Sequence, residues 1–102
     1  MGQYVAVAST DQVPPGQARR VVVKGNPIAV FNTGKEFLAV DDTCSHDEAS
    51  LAEGELFGEI VECPLHGARF NIRTGKALSL PAVYPVRRYD VKIDGDQIQI
   101  EV

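Results

Sequence analysis

Cys44-Ser45-His46, followed after sixteen intervening residues by Cys63-Pro64-Leu65-His66, holds both cysteines and both histidines of a 102-residue chain. Each cluster runs Cys then His, and Gly54, Gly58 and Gly67 lie in and beside the span. Thiolate and imidazole are the soft and borderline ligands that transition metals prefer. The pairing predicts two loops closing on one metal centre.

Upstream of this stretch the periodicity is that of strands. Tyr4-Val5-Ala6-Val7, Arg20 to Lys24, Ile28 to Phe31 and Glu36 to Val40 are β-prone runs. Asp11 to Gly16 reads as a loop, Gly25-Asn26-Pro27 as a turn, and Asn32 to Lys35 as a hairpin turn with Gly34 at positive φ. The last three runs predict a meander. Glu48 to Ala52 is expected to form one helical turn, Ile60-Val61 a short strand, Ala68 to Asn71 its return, and Arg73 to Lys76 a tight turn. Downstream, Tyr89, Val91 and Ile93 alternate with polar residues, as do Ile98, Ile100 and Val102, across Asp94-Gly95-Asp96. That pattern predicts an antiparallel hairpin with one buried face. The reading is an all-β chain without a long helix. A base built from both ends carries an inserted, loop-rich middle.

The length suits one domain, residues 1–102, able to bury a core without disulfides. The first thirty residues contain no apolar run of signal-peptide length, and nothing approaches a membrane span. A soluble, cytoplasmic protein with no membrane partner is expected. A net charge of −4 argues against nucleic acid. Eight of the fourteen acidic residues lie within 41–62, and no Lys or Arg occurs between Glu36 and Ala68. Such a run is either a solvated surface or one that steers a basic partner.

Cys44, His46, Cys63 and His66 admit several readings. Small core cysteines with incidental histidines do not explain the pairing. A Cys44–Cys63 disulfide leaves the histidines unused and does not suit a chain without a secretion signal. A zinc-stabilised, non-redox module is the stronger rival, since two Cys and two His satisfy tetrahedral zinc. Zinc knuckles, however, group like ligands, whereas each loop here offers one of each. A [2Fe-2S] cluster with thiolates on one iron and imidazoles on the other fits better.

These motifs resemble the Rieske ferredoxins, specifically the ferredoxin components of bacterial aromatic-ring-hydroxylating dioxygenase systems such as those for biphenyl, naphthalene and carbazole. The likeness covers the chain in length and strand order. It is most specific over Cys63-Pro64-Leu65-His66-Gly67-Ala68-Arg69-Phe70 and Thr74-Gly75. It implies the Rieske fold: an antiparallel base from residues 1–41 and 83–102, with a cluster-binding subdomain at about 42–82. It also implies one [2Fe-2S] cluster, held by Cys44 and Cys63 on the inner iron and by His46 and His66 on the outer. Leu65 and Pro81 would cover it.

The expected role is one-electron transfer from a flavin-containing, NAD(P)H-oxidising reductase to a terminal Rieske oxygenase. The chain would act as a monomeric carrier and not as an enzyme. No histidine remains for the mononuclear iron that an oxygenase needs. The small Rieske-like subunit of a nitrite reductase is the alternative within the same fold. Respiratory relatives add a disulfide between the loops and a Ser and a Tyr donating to sulfur. The matching residues here are Ala49 with Leu65, and Ala68 and Phe70. Lacking those donors, the centre is expected near the low end of the Rieske range, about −150 mV.

Overall fold

The computed structural model describes residues 2–44, 49–65, 67–80 and 84–102. Among them run β1 (Tyr4–Ser9), β2 (Ala18–Val23), β3 (Asn26–Asn32), β4 (Phe37–Asp41), β5 (Glu55–Phe57), β6 (Ile60–Glu62), β7 (Arg69–Asn71), β8 (Arg88–Tyr89), β9 (Val91–Asp94) and β10 (Gln97–Glu101). They form three antiparallel sheets, ordered β1-β10-β9, β2-β3-β4-β8 and β5-β6-β7. Short 3-10 turns occupy Thr10–Gln12 and Leu51–Glu53. The all-β expectation holds. No helix among the described residues is long and apolar enough to cross a membrane.

The four-stranded sheet is the middle layer, and β3 shows why. Ile28, Ala29, Val30 and Phe31 are all fully buried, so neither face of this strand meets water. Ile28 and Val30 pack with Ala39, Tyr89, Ile98 and Ile100 against the sheet of the two termini. Ala29 and Phe31, on the opposite face, pack with Val40, Val61, Phe70 and both cysteines. Successive side chains of a strand point to opposite faces, so one continuous apolar run serves two cores. Burying that run on both sides sets the chain's central register, since a slip of one residue would exchange the two packings.

Three sequence expectations are corrected. The turn before β3 is Lys24-Gly25, with φ of 52° and 81°, and not Gly25-Asn26-Pro27. Positive φ at both central residues matches the twist of a two-residue hairpin. Asn26 and Pro27 are already strand, paired with Val23 and Val22. Proline is tolerated there because the pair beyond the one flanking the turn is not hydrogen-bonded across that ladder. Its carbonyl still accepts from the Asp42 N–H at 3.0 Å.

The C-terminal run is likewise divided. Tyr89 belongs to β8 beside β4, whereas Val91 to Asp94 turn into the other sheet and pair with β10. Ile93, opposite Ile98, is nonetheless 43% exposed, and Ile98 and Ile100 provide the buried face. The helical turn foreseen at 48–52 is a single 3-10 turn at Leu51–Glu53. The sequence reading also missed β5, whose Leu56 pairs with Val61.

Candidate cluster-binding site

Each cysteine stands at the end of a strand-like neck. Toward the first, the Leu51 N–H donates to the Asp42 carbonyl at 2.7 Å, Thr43 bridges Ser50, and the Cys44 N–H donates to the Ala49 carbonyl at 3.0 Å. Toward the second, Glu62 pairs with Arg69 on β6 and β7, and the Cys63 N–H donates to the Ala68 carbonyl at 2.7 Å. The two necks match: a cysteine N–H bonded to an alanine carbonyl five residues on. Ala49 and Ala68 are both buried, and a small side chain lets the two strands of each neck approach.

Cys44 and Cys63 are 2% and 1% exposed and belong to one apolar cluster with Leu51, Val61, Phe70 and Ile72. Ala68 and Phe70 are fully buried in the same cluster. The fold therefore brings the two sulfur-bearing residues, nineteen positions apart in sequence, into one core. His46, His66 and Pro81 lie outside the described residues. Leu65, between the second cysteine and the second histidine, is 47% exposed. No grouping of three or more His, Cys, Asp or Glu that could hold a metal ion occurs among the described residues.

Beyond the second neck, the chain returns along β7. The Leu78 N–H donates to the Arg69 carbonyl at 2.8 Å, and the Arg69 N–H donates to Ser79 Oγ at 3.1 Å. This path leads to Leu80 and, past residues 81–83, to Tyr84; both are strongly exposed. Gly75 secures the turn that makes the return possible. Its φ is +82°, and a Cβ there would sit 2.1 Å from the Val86 carbonyl oxygen.

The acidic stretch has unequal members. Asp42 is 2% exposed and receives Ser50 Oγ at 2.8 Å, the Ala52 N–H at 2.9 Å and Arg20 Nε at 3.2 Å. Asp41 accepts from the Tyr89 hydroxyl at 2.5 Å. Burial, then this carboxylate, push Tyr89 up to about 12, against the opposing Arg87 charge. Glu62 receives Arg69 Nε at 2.9 Å, while Arg73 is shared by Glu59 and Glu36. The Arg73 hydrogen bond holds Glu59 below the ordinary carboxylate value. Glu53 and Glu55 are exposed and have no ion pair among the described residues.

Sequence reasoning missed the internal roles of Asp42, Arg69 and Arg73. Their partners lie seven to thirty-seven positions away, beyond any local pattern. It also left Arg87 and Arg88 as solvated strand. Arg87 in fact lies over the Tyr89 ring at 4.8 Å, and Arg88 donates to the Arg73 carbonyl at 3.0 Å.

Comparison with known proteins is consistent with this geometry. A family model described as the Rieske [2Fe-2S] domain matches residues 3–90. The ferredoxin component of biphenyl 2,3-dioxygenase from Rhodococcus jostii is 44% identical over 96 residues, 94% of this chain and 90% of that protein. The ferredoxin of carbazole 1,9a-dioxygenase from Nocardioides aromaticivorans superposes with a TM-score of 0.91 at 42% identity, covering 96% of each chain. A ferredoxin in a complex of reduced oxygenase and oxidised ferredoxin in carbazole 1,9a-dioxygenase superposes at 0.90 with 37% identity, covering 96% of this chain and 92% of its own.

Proposed function

The chain belongs to the Rieske [2Fe-2S] family, and from that premise we propose that Cys44 and Cys63 hold one iron while His46 and His66 hold the other. It is a ferredoxin-type electron carrier of aromatic dioxygenase systems, not the catalyst, and its cofactor is one Rieske-type cluster. The bound cluster supplies a one-electron couple. The donor set fits: both thiols sit in one core, at the mouths of loops that each carry one histidine in sequence. The observation that carries the assignment is the matched pair of necks, closed by the same cysteine-to-alanine hydrogen bond.

The protein's residues set how that couple behaves. Buried Ala68 and Phe70 offer no side-chain hydrogen bond to sulfur, which favours the oxidised form and a low potential. Leu65 in this reading, and Pro81 by resemblance alone, would shield the site, with the cluster-binding subdomain at about 42–82 on a base from 1–41 and 83–102. In this reading the chain works in the cytoplasm. It accepts electrons from an NAD(P)H-oxidising flavin reductase and passes them to a terminal oxygenase. Glu53 and Glu55 supply exposed charge that favours basic partner surfaces.

The purified protein should be reddish-brown, contain iron and acid-labile sulfide in equal amounts, and give a rhombic paramagnetic signal only when reduced. Cys63→Ser should abolish colour and signal, and oxygenase turnover from NADH should require reductase and this chain together. A colourless protein holding zinc would overturn the assignment.

A further inference from the structure

The two necks match in their last hydrogen bond but are braced differently. The second rises from a regular hairpin, β6 on β7, with three residue pairs below Cys63. The first has, among the described residues, one isolated bridge, Thr43 with Ser50. In place of a hairpin stands Asp42, the one buried charged residue among those described. Its carboxylate receives Ser50 Oγ and the Ala52 N–H from the far limb of the loop. Its carbonyl receives the Leu51 N–H, and its own N–H donates to Pro27 of β3. Arg20 of β2 completes the set from the middle sheet, half-exposed itself.

We propose that Asp42 is a positioning residue for the first ligand loop: it clamps Ser50 and Ala52 to the base sheet and so holds Cys44 for the metal. The proposal rests on the reading of Cys44 as a ligand. A charged acceptor makes hydrogen bonds about twice as strong as neutral ones, and a buried one left half-satisfied is costly. The clamp thus does with one side chain what three strand pairs do for Cys63. Opening of the site, and loss of metal, begins at the Cys44 side when this clamp is weakened.

The test uses the holoprotein and three variants. Ser50→Ala deletes one loop contact and leaves Asp42 otherwise bonded, so it should fold. Asp42→Asn keeps one acceptor oxygen and loses the charge. Ile98→Val loosens the base core on the opposite face of the middle sheet and serves as the control. The first readout is the rate of visible-absorbance loss under excess EDTA, well below each melting temperature. The second is the paramagnetic signal of the reduced protein.

Ser50→Ala should lose its colour several-fold faster than the parent, and Asp42→Asn about tenfold faster, the worth of one hydrogen bond to a charged group. Both should shift the signal, and Ile98→Val should change neither readout. If colour loss merely follows melting temperature across all three, or if both clamp variants keep the parental rate and signal, Asp42 is not positioning the loop. A parent protein without iron would overturn the ligand assignment and this proposal together.

Discussion

Tyr89 and Ala68 show how single side chains carry testable consequences. Tyr89 donates its hydroxyl to Asp41 inside the base, and its value is raised from 10.0 to about 12. The unfolded chain loses this proton first, so the contribution is complete below about pH 10 and is lost as pH rises toward 12. Denaturant titrations should show stability falling by about 2 kcal/mol across that window. Tyr89→Phe should remove most of that slope while costing about 1 kcal/mol at neutral pH. Ala68 tests the opposite property, a buried side chain with no hydrogen-bond donor to offer. Ala68→Ser should raise the midpoint by roughly 60 mV, one tenfold step for a single electron and comparable to one net hydrogen bond. Redox titration of the pair decides it.

Among elements, the tight turns do unequal work. Gly25 has φ of +81° with open space around it, whereas Gly75 combines φ of +82° with the Val86 carbonyl where a Cβ would go. Gly25→Ala should therefore cost about 1 kcal/mol, the penalty of a strained backbone alone. Gly75→Ala should cost at least about 3 kcal/mol, because backbone must move as well. For a domain of this size the first lowers the melting temperature by about 4–8 °C and the second by several times that. Thermal melts of the two variants make the comparison. Equal shifts would mean that the return path from the second neck does not depend on this close approach.

Across the whole molecule, the charge distribution ties the fold to its partners. Arg20, Arg69 and Arg73 fold back onto Asp42, Glu62 and Glu59 of the acidic stretch and onto Glu36 before it, so three of its eight carboxylates are already engaged within the chain. Among the described residues, exposed Glu53 and Glu55 have no such arginine. If they steer a basic reductase or oxygenase, transfer should slow several-fold as salt rises from about 0.05 to 0.5 M, as the screening length shrinks to a few ångströms. The Glu53→Gln, Glu55→Gln double variant should start slow and depend less on salt. Stopped-flow transfer rates that ignore ionic strength would remove the steering role.

The sequence by itself determined the strand runs and the two Cys-then-His clusters. It also showed the absence of donors at Ala68 and Phe70. All of these are local facts of residue type and spacing. Strand periodicity is read within a few residues, and a ligand motif within a loop, so both were legible. Only the tertiary structure decided that Ile28 to Phe31 face two cores, that Tyr89 leaves its apparent hairpin for another sheet, and that Asp42 turns inward from an acidic run. Those outcomes depend on which sheets stack and which distant arginine or amide arrives. A carboxylate's surroundings, unlike its identity, are written in the packing of residues far along the chain.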